Sequence, residues 1–158
     1  MKPDIPLAPV RVSTVVRGTP AQCFDLFVSS MTRWWNPRRH LVRAPVERMV
    51  VEAFAGGRWY EVGEDGREAD WGRVVEWAPP HRLVLSWRVT PEGQFGEDFR
   101  SAVEVIFSPV AEGTRIDLEH SGLEHLGAAG VRLRRALAGD QGWRGSLSRL
   151  AAVISAEP

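Results

Sequence analysis

The chain has one cysteine, Cys23, so no internal disulfide can form and the fold must rest on its own core. No stretch approaches the roughly 18 uninterrupted apolar residues of a membrane-spanning helix. The N-terminal MKPDIPLAPVRV carries Pro and Asp where a signal peptide needs an apolar run. A surplus of one charge is also missing, because 20 basic and 20 acidic side chains cancel and leave no field to hold a polyanion or an anionic membrane. These absences argue against a disulfide scaffold, a helical membrane protein and a nucleic-acid binder, and the reading they leave is a cytoplasmic protein.

What is present is an ordinary globular composition, 44% hydrophobic and 25% charged over 158 residues, with seven tryptophans. A single domain of this size buries roughly 68–70% of its unfolded surface, enough for a core without staples. Residues 1–9 contain three prolines and read as an extended lead-in, leaving one domain over residues 10–155.

Val10, Val12, Thr14 and Val16 alternate with polar residues as in a strand with one wet face. Thr19-Pro20 then opens a helix, with Thr19 as N-cap and Phe24, Phe27 and Val28 on its buried face, and Ser29–Pro37 gives a second short helical piece. From Val46 to Gly122 the texture is that of an antiparallel meander. Strands are expected at Val46–Phe54, Arg58–Val62, Ala69–Trp77, Arg82–Val89, Ala102–Pro109 and Thr114–His120. Their turns are at Gly56-Gly57, Gly63–Gly66, Pro79-Pro80 and Val110–Gly113. After Gly122 the period is helical again. Asp140 is the expected cap of a last helix whose stripe is Trp143, Leu147, Leu150 and Ile154. The fold class is α+β, with helices on one face of a curved sheet.

The series Gly56-Gly57-Arg58-Trp59, Trp71-Gly72-Arg73-Val74, Pro79-Pro80-x-x-Leu83-Val84-x-Ser86-Trp87, Gly113-Thr114-Arg115-Ile116 and Gly142-Trp143-x-x-x-Leu147-x-x-Leu150 resembles the SRPBCC superfamily. Within it, the chain is most similar to the branch named after the activator of the heat-shock-protein-90 ATPase, a likeness shared by Trp34-Trp35-Asn36-Pro37. The resemblance implies a helix-grip fold: a curved antiparallel sheet around a long C-terminal helix, two short helices after the first strand, and a cavity between sheet and helix. With the tryptophan-rich inward faces and the lack of a recognisable catalytic set, it leads to the expectation of a small hydrophobic ligand such as a lipid, polyketide or aromatic metabolite, bound without catalysis and without a cofactor. Members that are cyclases, hydrolases, chaperone-linked stress-response modules or resistance proteins against a reactive natural product supply the alternatives. Monomer and homodimer both stay open.

Ligand-lining candidates on this reading are Trp35, Trp59, Trp71, Arg73, Trp87, Phe99, Phe107, His120, Trp143 and Leu147. Indoles offer large apolar area and one donor each, although the same pattern also describes solid core. Trp71, Arg73, Val75 and Trp77 are expected on one strand face, which makes Arg73 an anchor for a carboxylate or phenolate if that face is inward. His120 falls on the inward set of its strand and is either a proton-transfer group or a hydrogen-bonded structural histidine. The repeated Leu-Glu-His at 118–120 and 123–125 hints at metal, but no further ligand cluster follows, and no metal is assigned. Phe95 and Phe99, around the connection Pro91–Asp98, read as a lid or as a surface hairpin with one buried Phe. Arg38-Arg39-His40 and Arg132-x-Arg134-Arg135 read as solvated basic patches, the second being also the support for a protein-interaction surface.

Overall fold

In the computed structural model, residues 7–96 and 99–157 are described. Residues 1–6 of the lead-in, and Glu97 and Asp98 of the 91–98 connection, lie outside the described residues. Strands β1 (Val10–Val16), β2 (Val46–Val51), β3 (Arg58–Gly63), β4 (Glu68–Ala78), β5 (Arg82–Trp87), β6 (Ser101–Val110) and β7 (Gly113–Ser121) form one antiparallel sheet, ordered β1-β7-β6-β5-β4-β3-β2. Helices α1 (Pro20–Ser29) and α2 (Met31–Trp34) follow β1. A 3-10 turn (Leu123–Leu126), α3 (Ala128–Ala138) and α4 (Trp143–Ala156) close the chain. This is the helix-grip architecture, a curled sheet with α4 laid across its inner face.

Local chemistry accounts for the element ends. The Thr19 hydroxyl accepts from the Gln22 backbone N–H while the Gln22 side chain accepts from the Thr19 N–H, a reciprocal cap that starts α1 at Pro20. On β6 and β7 alternation drives Val103, Val105 and Phe107, then Thr114, Ile116, Leu118 and His120, into the interior. Across from them α4 presents Trp143, Leu147, Leu150 and Ile154.

The helical texture expected after Gly122 is the 3-10 turn and α3, with α4 following as the last helix. Two expectations are corrected. The last helix is capped at Gly142, not Asp140, which instead sits one turn out as an ion-pair partner of Arg144. In addition, β4 does not keep one face from Trp71 to Trp77. Trp59 pairs with Gly72 and Tyr60 with Asp70, so Trp71 is an extra residue against β3. Val74 pairs with Leu85 and Glu76 with Val84, so Val75 is extra against β5. Each bulge bends the strand and shifts the phase of its side chains by one. Trp71 and Val74 are therefore buried while Arg73 and Val75 point outward.

The first bulge needs a residue without a side chain beside it. A Cβ on Gly72 would lie 1.8 Å from the Ser86 carbonyl oxygen, whereas one on Gly56 meets nothing within 4 Å and bears only the strain of its φ of 89°. Gly72→Ala is therefore expected to cost about 3 kcal/mol or more by overpacking, and Gly56→Ala about 1–2 kcal/mol from the left-handed backbone alone. Urea unfolding of the two variants checks the ranking.

Candidate functional site

The sequence places bulky indoles just after α2 and on β3, β4, β5 and α4, and the fold brings them together. Trp35 is the hub, with ring centroids 5.1 Å from Trp71, 5.7 Å from Trp59, and 6.2 Å from both Trp87 and Trp143. Trp87 lies 4.9 Å from Trp71 and 5.0 Å from the His120 ring. All five indoles are buried. Phe107 belongs to a second cluster at the α1 end with Phe24 and Phe27, while Leu147 and Phe99 are core. The candidate lining set thus divides, and Arg73 leaves it altogether: it is exposed on the outer side of β4 with its backbone N–H on Ser86 Oγ.

The space between sheet and α4 is filled by these rings. What is left there, beside Trp35, Trp87, Trp143 and Ser146, is about 10 Å³, at the limit for one water molecule. Larger surface grooves lie elsewhere, between α1 and the end of α4 and between α1 and Trp77, but the opening that reaches these rings lies at the end of the cluster. There, residues 36–41 after α2, the start of the β5–β6 connection and Leu133 of α3 enclose a groove of about 270 Å³, with Trp71 and Trp87 in its wall. The β5–β6 connection is a tight hairpin, bridged at Val89 and Phe95, and Phe99 beyond it is buried. Arg132 on α3 pairs with Glu92 of this hairpin, and Arg134 donates to the Ala8 carbonyl, so two of the three arginines read as a partner surface are engaged within the chain.

His120 is wholly enclosed. An indole N–H can only donate, so Trp143 Nε1, 3.0 Å from His120 Nδ1, makes Nδ1 the acceptor and places the ring proton on Nε2. Nε2–H then donates to Ser101 Oγ at 3.0 Å, whose own hydrogen goes to the Trp87 carbonyl at 2.8 Å. Burial, with a smaller contribution from the Arg39 charge, pushes the imidazole down from 6.5 to about 3. Both ring nitrogens are occupied and the ring is neutral at any physiological pH, which is the geometry of a structural histidine and not of a proton shuttle.

Three groups that sequence reasoning passed over shape the groove. Glu61, fully buried, accepts from Trp71 Nε1 at 2.8 Å and from the backbone N–H groups of Leu41 and Val42 at 2.9 Å each, tying the 36–41 segment to the indole wall. The alternation of β3 puts it on the same face as Trp59, which was a usable signal. Asn36 donates to the Gln141 carbonyl, holding the same segment to the α3–α4 turn. Arg39, read as part of a solvated patch, is half-buried and lines both the groove and the small inner gap. Among the described residues no three of His, Cys, Asp and Glu stand close enough to hold a metal ion. No helix there is long and apolar enough to cross a membrane.

Comparison with known proteins agrees with this architecture. The sequence profile of the family described as Activator of Hsp90 ATPase homolog 1-like protein matches residues 17–155. No curated protein matches the chain. Among solved structures, the anthrahydroquino-γ-pyrone synthase Txn09 is 38% identical, with a TM-score of 0.66 over 93% of this chain and 97% of that one. CalC, a self-sacrificing resistance protein from Micromonospora echinospora, is 27% identical with a TM-score of 0.70 over 94% of each chain. Protein MLL2253 from Mesorhizobium loti shares the fold at 17% identity and a TM-score of 0.70, over 95% of this chain and 98% of that one.

The buried histidine has a measurable consequence. The unfolded chain takes up a proton near pH 6.5 and the folded one only near 3, so acid favours unfolding progressively across that window. Between pH 7 and pH 5 this group is expected to withdraw about 2 kcal/mol of stability. His120→Gln, less stable at pH 7, should lack that component. Urea midpoints of both proteins at the two pH values test it, and equal slopes would refute the assignment.

Proposed function

We propose that this chain, which belongs to the family of Activator of Hsp90 ATPase homolog 1-like proteins, binds a planar polycyclic aromatic compound of polyketide type in the groove at the end of its tryptophan cluster. The observation that carries the reading is the combination of a filled centre and an open, indole-walled groove of about 270 Å³. That volume is close to the lower bound of roughly 300 Å³ for small-molecule sites, which suits a flat ring system better than a lipid chain. Indole edges and faces favour aromatic partners through offset and edge-on packing. The 38% identity to a synthase that makes an aromatic pyrone supports the same chemical class.

Because Trp71 and Trp87 stand in the groove wall, binding should report itself as quenching of indole fluorescence. Native mass spectrometry of freshly purified protein, with denaturing extraction, comes first and should release a polycyclic aromatic if one is retained. In titrations, 1,8-dihydroxyanthraquinone is expected to quench and palmitate to leave the signal unchanged. Thr90→Trp, which puts an indole into the groove from its rim, should weaken the anthraquinone at least tenfold at unchanged thermal stability. Binding of palmitate in place of the anthraquinone would overturn the ligand class, and an undiminished Thr90→Trp would overturn the location.

A second reading, ring closure on the bound aromatic, is favoured by the same identity and by His40. His40 Nδ1 lies 2.6 Å from the Val42 carbonyl, so in the neutral ring Nδ1 carries the hydrogen and Nε2 keeps its lone pair, on a residue lining the groove. That is a proton acceptor of the kind His120 is not. If this reading holds, an anthrahydroquinone carrying a 1,3-diketone side chain beside a ring hydroxyl returns as the fused pyrone, the hydroxyl oxygen bonding to the distal carbonyl carbon with loss of water, and His40→Gln lowers the rate at least a hundredfold while binding persists. Return of the anthrahydroquinone unchanged by the parent protein leaves the binding role alone.

A further inference from the structure

Arg39 is the half-buried cation of the groove, and nothing in the described structure answers its charge, whereas its neighbour Arg38 is exposed to solvent. The Arg39 guanidinium makes no hydrogen bond or ion pair with any described residue, and burial holds its pKa below the ordinary arginine value with no acidic neighbour offsetting it. Several arginines of the chain are paired with acids, Arg58 with Asp70 and Glu68, Arg82 with Glu104 and Glu76, and Arg132 with Glu92, whereas those without a described partner, such as Arg38 and Arg73, are exposed to water. Arg39 is also held in place from its backbone, since its carbonyl accepts from Trp35 Nε1 at 2.7 Å and its N–H donates to the Asn36 carbonyl at 2.9 Å.

The surroundings share one sign. Arg38, Arg39 and His40 are the ionisable side chains lining the groove, and no carboxylate is among its described lining residues, in a chain whose net charge is zero. A partly desolvated guanidinium without a counter-ion is costly, and it becomes favourable when a carboxylate, phenolate or enolate supplies two parallel acceptors to its fork. Its neighbours in the wall, Trp71 and Trp87, are apolar.

We infer that the groove is built for an aromatic acid: the ring system lies on the indole wall and an oxyanion on the ring is held by Arg39. This rests on the binding reading above and narrows its ligand to one carrying a carboxylate or an ionised phenol or enol. A neutral polycycle of the same shape would leave Arg39 unanswered and desolvate it further.

A matched pair of probes tests this, anthraquinone-2-carboxylate and anthraquinone-2-carboxamide, titrated by indole quenching and by calorimetry at one salt concentration. The parent protein is expected to bind the carboxylate 10- to 100-fold more tightly than the amide. Arg39→Gln should remove that preference, weakening the carboxylate by the same factor and the amide less than threefold. Arg39→Lys, which keeps the charge but not the fork, should retain part of it. Circular dichroism and thermal midpoints establish that both variants fold. Equal affinity of the two probes for the parent, or an Arg39→Gln that weakens both equally, overturns the anion subsite while the aromatic-binding reading stands. If neither probe binds the parent, the groove reading itself falls and the subsite with it.

Discussion

A buried indole brings one N–H that must find an acceptor, and meeting that need sets the geometry of this molecule's centre. Trp35 donates to the Arg39 carbonyl, Trp71 to Glu61, Trp87 to the Val89 carbonyl and Trp143 to His120. Leaving any of these donors without a partner would cost about 1–3 kcal/mol. Three of the four acceptors bear on the groove. The Arg39 carbonyl fixes the 36–41 segment, Glu61 reaches the backbone of Leu41 and Val42, and the Val89 carbonyl fixes the start of the β5–β6 hairpin. The rings that fill the core thus also hold the walls of the opening. Trp59 is the exception, its Nε1 buried without an acceptor.

The fourth acceptor shows how the same demand removes a residue from chemistry. His120 sits at the heart of the cluster, where its position on the inward face of β7 suggests a catalytic role. Yet Trp143 needs its lone pair and Ser101 takes its proton, so the ring is spent on structure. His40, outside the cluster, has one nitrogen committed to a carbonyl and the other available. Burial and bonding, more than residue type, decide which of the two can act on a ligand.

Much of the fold was legible because its determinants are local. Alternation on β5, β6 and β7, the Thr19-Pro20 start of α1 and the stripe of α4 each follow from a few adjacent residues, and the ordered motifs added the helix-grip topology. The misplaced face of β4 has a different origin. Its two bulges are set by where Gly72 must approach Ser86 and where the strand must bend between different neighbours, information held by β3 and β5 and not by β4 itself. The site was harder for the same reason. That tryptophans fill the centre is a matter of summed volume across five elements. Arg39 in Arg38-Arg39-His40 looks like any exposed basic run until α3 and the β5–β6 hairpin close over it. Glu61 was readable, since the residue two beyond Trp59 on one strand shares its face, but a lone acid among apolar neighbours carries no sign of the three donors awaiting it.

Elsewhere the chain follows the rule that local preference, packing and polar pairing agree. The centre is packed to the last few cubic ångströms, α1 is reciprocally capped, and the outer face of the sheet pairs Arg11 with Glu119, Arg82 with Glu104 and Arg115 with Asp117. Against that background two departures stand side by side: a groove left open next to a filled tryptophan cluster, and a half-buried cation with no described anion. Either alone would be a modest cost to stability. Their coincidence on one residue, in a wall held rigid by indole hydrogen bonds, is what a preorganised site requires, because the ligand then meets donors and apolar surface already in position. The stability forgone at Arg39 is the part of the design that only a bound anion can recover.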